Sequence, residues 1–277
     1  MSAESHSLYF QNGEGFLSAS INMGLPEGQT LQLDTMTVEL FLDLHSQPCR
    51  AVYLFAKKAN IPFEYKKVDL ASGEQYGEEF GQISMVRKVP VLKDGDFILT
   101  ESIAILMYLA EKFSTPDHWY PAEPQKRARV NEYLSWQHKA IRESGSKIFW
   151  FRAMVPLLTG APVDQERMDS AVEDLTSSLT IFEEKFLQKR SFILGQDISL
   201  ADLVAIVELM QPVGTGLDVF EGRPLLGEWR DRVKKELGES LFDEAHHVIM
   251  NAHTLPQELE DKGMLEFLKP RLKKLFN

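Results

Sequence analysis

A proline-rich break divides this chain and limits what it can fold into. Pro116, Pro121 and Pro124 fall within the short stretch from Ser114 to Pro124. Before the break, short apolar runs alternate with turn residues. After it, apolar residues recur only at helical spacing. Strand-period and helix-period halves joined by prolines predict two packed units, an α/β domain followed by an all-helical one.

The first half can be read element by element. Val38–Leu42 alternates as a strand, and Pro48 to Ala59 reads as a helix with Pro48 in its first turn and Lys57 and Lys58 in its last. Ile61-Pro62 ends that helix, and Phe63 to Leu70 gives a second strand. A short helix is expected from about Glu74 to Gly81. Val89-Pro90-Val91-Leu92, the turn around Asp94-Gly95 and Phe97-Ile98-Leu99 form a hairpin, with Pro90 able only to open its strand. Thr100-Glu101-Ser102 then starts a helix carrying Ile103, Leu106, Met107 and Leu109. The order βαβαββα is that of a thioredoxin-like domain, expected over 36–114, with the linker at 115–123 and the helical domain at 124–277. In that second domain Val130, Leu134, Gln137 and Ile141 mark one face of a long helix. Another helix runs from about Asp164 to Gln188. Ser199 and Asp202 form a capping box with Asp in place of Glu.

The net charge of −11 argues against nucleic acid or an anionic membrane as partner. No apolar run is long enough to span a bilayer. A single cysteine, Cys49, rules out an internal disulfide framework and fits a reducing, cytoplasmic setting. Residues 1–35 carry Glu4, Glu14, Glu27 and Asp34 with no Lys or Arg, which fits neither a secretory nor a mitochondrial signal. They read as a disordered leader, or as a tag-derived extension given Leu8-Tyr9-Phe10-Gln11.

Chemistry concentrates where the first strand meets its helix, in Leu42-Asp43-Leu44-His45-Ser46-Gln47-Pro48-Cys49-Arg50. Unpaired N–H groups at a helix start, beside a hydroxyl, can hold an anion or a thiolate. The same Ser46 can equally be a plain N-cap. His45 is expected on the opposite face of the strand from Ser46. Cys49 stands last in an S-x-x-C pattern, so no dithiol cycle is available to it, and it reads as a packed residue. His246, His247 and His253 lack metal-ligand spacing and are expected on a surface helix.

Several motifs, in order, resemble those of the theta-class cytosolic glutathione transferases. They are Leu42 to Val52, Lys88-Val89-Pro90, Leu99 to Leu106, Trp119-Tyr120-Pro121, Glu132 to His138, Ile198 to Val204 and Val219 to Pro224. The resemblance covers about 36–277 and implies a glutathione S-transferase. Glutathione would be the cosubstrate, a small electrophile the second substrate and a homodimer the assembly, with no other cofactor and no metal. By the same resemblance Ser46 stabilises the thiolate and Arg142 lies by the electrophile pocket. Val89 pairs with the cysteinyl unit, with Pro90 cis. Glu101 and Ser102 meet the γ-glutamyl end, and Lys88 the glycyl carboxylate. Many theta chains carry His where this one has Gln75, which can donate a hydrogen bond but supplies no charge. The implied electrophiles are halogenated alkanes, epoxides and isothiocyanates, with organic peroxides as a further class. The tail from Lys262 to Asn277 would cover the electrophile site, interrupted at Pro270. The alternative is a non-catalytic glutathione-binding or structural member of the fold.

Overall fold

The computed structural model describes residues 7–12, 15–20, 34–35, 37–252, 255–267 and 270. Where a leader was expected, strands β1 (Ser7–Asn12), β2 (Gly15–Ser20) and β3 (Asp34–Thr35) form a small antiparallel sheet.

The α/β domain follows the expected order. Strand β4 (Val38–Leu42) leads into helix α1 (Gln47–Lys58), then β5 (Phe63–Lys67), α2 (Glu78–Ile83), β6 (Val91–Asp94), β7 (Phe97–Thr100) and α3 (Ser102–Lys112). The sheet order is β5-β4-β6-β7, parallel between β4 and β5 and antiparallel elsewhere. The inward residues Val38, Leu40 and Leu42 of β4 are fully buried, so the central strand carries the core. The second strand stops short of the expected Leu70, because Leu70–Ser72 turns into a 3₁₀ stretch capped by Asp69. A further 3₁₀ turn, Glu74–Tyr76, takes up the first part of the short helix expected there.

The helical domain begins with α4 (Pro124–Gln137), capped by the Glu123 carboxylate, and continues through α5 (Glu143–Phe149) and α6 (Val155–Thr159). Two π-helical stretches, His138–Arg142 and Trp150–Met154, join these three segments into one run. Pro156 lies two residues past the second stretch, in the first turn of α6, so its missing N–H does little harm. Gly160 ends the run at φ 75° with its N–H on the Pro156 carbonyl. Helix α7 (Gln165–Ile181) also closes in a π stretch, Phe182–Leu187.

Helix α8 (Leu200–Val213) runs through the interior, with all residues from Leu200 to Pro212 buried. Its cap is built on Asp202, which accepts from Ser199 N and Oγ at 3.0 and 2.8 Å, and from Ile193 N and Trp229 Nε1 at 2.9 Å each. Three chain segments therefore meet on one carboxylate. Helices α9 (Pro224–Leu237), α10 (Glu239–Met250) and α11 (Leu255–Asp261) follow. Helix α8 packs on α1, which joins the two domains behind the β4–α1 turn.

Candidate active site

A cavity of about 360 Å³ opens where that turn faces the π-broken helix. Its walls include His45, Ser46 and Gln75 from the α/β domain, and Arg142, Trp150 and Met154 from the helical domain. All three of the latter come from π stretches, which turn side chains off the regular helical face toward the cavity. Leu255 and Leu259 of α11 close one side. Lys262 pairs with Asp69 at 2.6 Å, and Met264 lies so close to Gly73 that a side chain there would collide with it. The Gly73 φ of 74° also favours glycine.

Ser46 occupies the N-cap position of α1, yet its side chain makes no capping bond. The helix has no acidic residue in its first turn, and the buried Asp43 carboxylate lies just before it, close to the positive end of its dipole. The Ser46 hydroxyl, beside the Cys49 sulfur, lies at the start of the helix on the cavity wall. Cys49, one turn on, is fully buried, and burial pushes its thiol up to about 12 despite the nearby Ser46 hydroxyl. That cysteine is inert near neutral pH.

The turn is held from two sides. Asp43, buried, accepts from the His45 amide at 2.9 Å, the His45 ring at 2.8 Å and the Leu70 amide at 2.9 Å. Burial alone would raise its carboxyl, but these hydrogen bonds outweigh that and leave it below the ordinary range. Arg50, with no exposed surface, donates to the Leu44 and His45 carbonyls at 2.7 and 3.2 Å. Its other nitrogen donates to Gln211 Oε1 at 2.5 Å and to the Val207 carbonyl at 3.4 Å. Burial draws Arg50 down to about 10, still charged at neutral pH. Sequence reasoning named neither Asp43 nor Arg50, and it turned His45 away from Ser46. Strand alternation does not apply past Leu42, where the chain is already a turn, so both residues face one cavity.

The other expected residues fall into three groups. Gln75 is buried with its Oε1 unpartnered, and it lines the same cavity as Ser46 and Arg142. Lys88 is exposed and opens, with Arg142, onto an adjoining cleft of about 870 Å³ that also carries Lys139, Lys147 and Arg167 against Glu143. Ser146 and Trp150 are shared by the two spaces. Val89, Pro90, Glu101 and Ser102 are not in either lining. The Val89–Pro90 peptide is cis. Glu101 caps α3 at φ 69° and ψ 110°, a strained conformation for a residue with a side chain, and Ser102 is buried at the first position of that helix.

His246 departs from the surface position expected for it. It is buried, with its Nδ1 2.8 Å from the Phe242 carbonyl. His253 lies outside the described residues, as do Lys269, Arg271, Lys273 and Lys274 of the tail. Among the described residues no cluster of His, Cys, Asp or Glu could hold a metal ion, and no helix is long and apolar enough to cross a membrane.

Comparison with known proteins agrees with this architecture. Residues 36–111 match the family model for the glutathione S-transferase N-terminal domain, and residues 145–236 that for the C-terminal domain. The chain belongs to the glutathione S-transferase family, an enzyme family whose members conjugate glutathione. Theta-class enzymes are among the relatives it resembles. The chain is 52% identical to glutathione S-transferase theta-3 of Mus musculus over 84% of its own length and 97% of that protein. To theta-1 of Homo sapiens it is 53% identical, over 80% and 92%. The structure superposes on human glutathione-S-transferase T1-1, apo form, with a TM-score of 0.76 at 52% identity, covering 81% of this chain and 97% of that one. Human glutathione transferase theta-2, solved in complex with glutathione and an unknown ligand, gives 0.76 at 49% identity over 81% and 91%.

Proposed function

We propose that this enzyme activates glutathione through Ser46 and joins its thiolate to small electrophiles. The single observation carrying this reading is the Ser46 hydroxyl, at the N-cap position of α1 without a capping bond and on the wall of the cavity that Gln75 and Arg142 share. A free thiol has a pKa of about 8.5. The hydroxyl donates to the sulfur, and the α1 dipole favours the charged form. A depression of about two units corresponds to about 2.7 kcal/mol in favour of the thiolate.

The remaining residues divide the tripeptide among themselves. The Val89 backbone beside Pro90 pairs with the cysteinyl unit as a strand would. Glu101 faces the γ-glutamyl ammonium, and Ser102 with the start of α3 takes its carboxylate. Lys88 pairs with the glycyl carboxylate, while the Gln75 amide donates to the same end. The thiol proton leaves to solvent. The thiolate then attacks carbon, expelling halide from an alkyl halide or opening an epoxide to an alkoxide that water protonates. Isothiocyanates add the thiolate at their central carbon, and organic peroxides are a further expected class. Arg142 stands where a leaving group gathers negative charge. A homodimer, as the family resemblance implies, is the expected assembly.

The test is the ultraviolet thiolate absorbance of bound glutathione, titrated with pH in the wild type and in Ser46→Ala. A thiolate present at neutral pH in the wild type and lost in the variant supports the reading. Bound glutathione with an unshifted thiol in both proteins refutes the catalytic role and leaves a binding protein.

A further inference from the structure

Behind Arg142 lies an acid that the scheme above does not use. Glu208 of α8 is buried, with its Oε1 3.6 Å from Arg142 Nη1 and its Oε2 without any hydrogen-bond partner. An orphaned buried carboxylate oxygen is unusual and calls for a physical reason. Arg142 keeps 30% of its side chain exposed and lines both the cavity and the basic cleft. Three residues further along α8, Gln211 reaches the cavity wall and accepts from Arg50. One face of α8 therefore meets both the guanidinium at the pocket and the one beneath the Ser46 turn.

Building on the glutathione reading, we propose that Glu208 is a positioning residue acting through Arg142. Its carboxylate draws the guanidinium back against α8, and its protonation frees that guanidinium to meet an anionic group carried on the sulfur of bound glutathione. Burial raises Glu208 to about 7, opposed by the charges of Arg142 and then Arg50, so both protonation states are accessible near neutrality. A proton also gives the carboxyl group a hydrogen with which to find a partner. The groups facing Glu208 come from several elements. Arg142 comes from the π stretch, Arg50 from α1, and Tyr133 from α4, whose phenol is influenced by both Asp202 and Glu208. Helix α5 presents Gly145 to the Glu208 carbonyl, and His246 of α10 stands beyond Arg50. His45 and Tyr76 of the α/β domain also lie on the cavity wall, and His138 lines the adjoining cleft beside Arg142.

The test compares two glutathione derivatives by calorimetry near pH 6 and pH 8. S-methylglutathione is neutral at sulfur. S-sulfoglutathione carries a sulfonate there, which stays ionised throughout. Their affinity ratio cancels effects common to the tripeptide. In the wild type the ratio should favour the sulfonate about tenfold more at the lower pH, the size of one pKa unit of coupling. In Glu208→Gln it should equal the wild type's low-pH value at both pH values, and in Arg142→Gln the pH dependence should vanish. A pH-independent ratio in the wild type overturns the proposal, as does a pH dependence that survives in Glu208→Gln and so belongs to another group. Arg142→Gln keeps the test open if Glu208→Gln fails to fold. Failure of both ligands to bind the wild type removes the glutathione reading itself and this inference with it. Binding of both at a fixed ratio removes this inference alone.

Discussion

Replacing Arg50 with Met should damage both stability and thiolate formation. Met keeps most of the buried volume but deletes the donors to Leu44, His45, Gln211 and Val207. Each hydrogen bond from a charged group contributes about 1.5–3 kcal/mol, and the cost of burying the guanidinium offsets much of their sum. Glu208, already raised to about 7, then faces one arginine instead of two and takes up a proton more readily, which limits that part of the cost. Leaving the buried acceptors without their donor costs about 1–3 kcal/mol, and a destabilisation of at least that size is expected from urea unfolding at neutral pH. Because the Leu44 and His45 carbonyls immediately precede Ser46, the turn should loosen as well. The thiol of bound glutathione should then rise by at least about one pKa unit in Arg50→Met. A destabilisation below about 1 kcal/mol together with an unchanged thiolate titration would refute the assignment, because a buried arginine with four acceptors cannot be removed harmlessly.

Two further outcomes concern stability alone. His246 is pushed down to about 3, first by burial and then by the Arg50 charge, so the folded state holds it neutral while the unfolded chain protonates it near 6.5. The unfolded state then binds more protons as the pH falls below that value, and the fold loses about 2 kcal/mol from this group by about pH 5. In His246→Gln the gap in unfolding free energy between about pH 7.5 and about pH 5 should shrink by that amount, and an unchanged gap excludes His246 as its source. Asp202→Ala strands the donors of Ser199, Ile193 and Trp229 together, and should cost about 3–5 kcal/mol in urea unfolding.

The fold was legible because its signals are local. Val38–Leu42, the Asp94-Gly95 reversal, the proline break and the Ser199/Asp202 cap each act over a few residues, and each appears near its expected place. The site was legible only in part. Ser46 could be found because it stands at a strand-to-helix junction, and Arg142 and Gln75 through resemblance. Arg50 and Glu208 could not, because their meaning depends on α1 and α8 packing together across more than a hundred and fifty residues. In sequence, Arg50 is one more helical cation and Glu208 one acid in an apolar run. His45 was misplaced for a simpler reason, since the strand rule was carried one turn too far. His246 was misjudged because a histidine with one ring nitrogen on its own helix carbonyl can be buried without any distant partner to announce it.

The π stretches at His138–Arg142 and Trp150–Met154 have a consequence for how this pocket can vary. A π turn takes in about one more residue than an α turn, and the helix on either side keeps its phase. Ile141 and Ile148 therefore remain in the core while Arg142, Trp150 and Met154 form the pocket wall. A one-residue deletion within either stretch would return it to a regular helix and redraw that wall without rotating the core-facing stripe. These are the places where the chain can change length and reshape what it admits while its interior stays as it was.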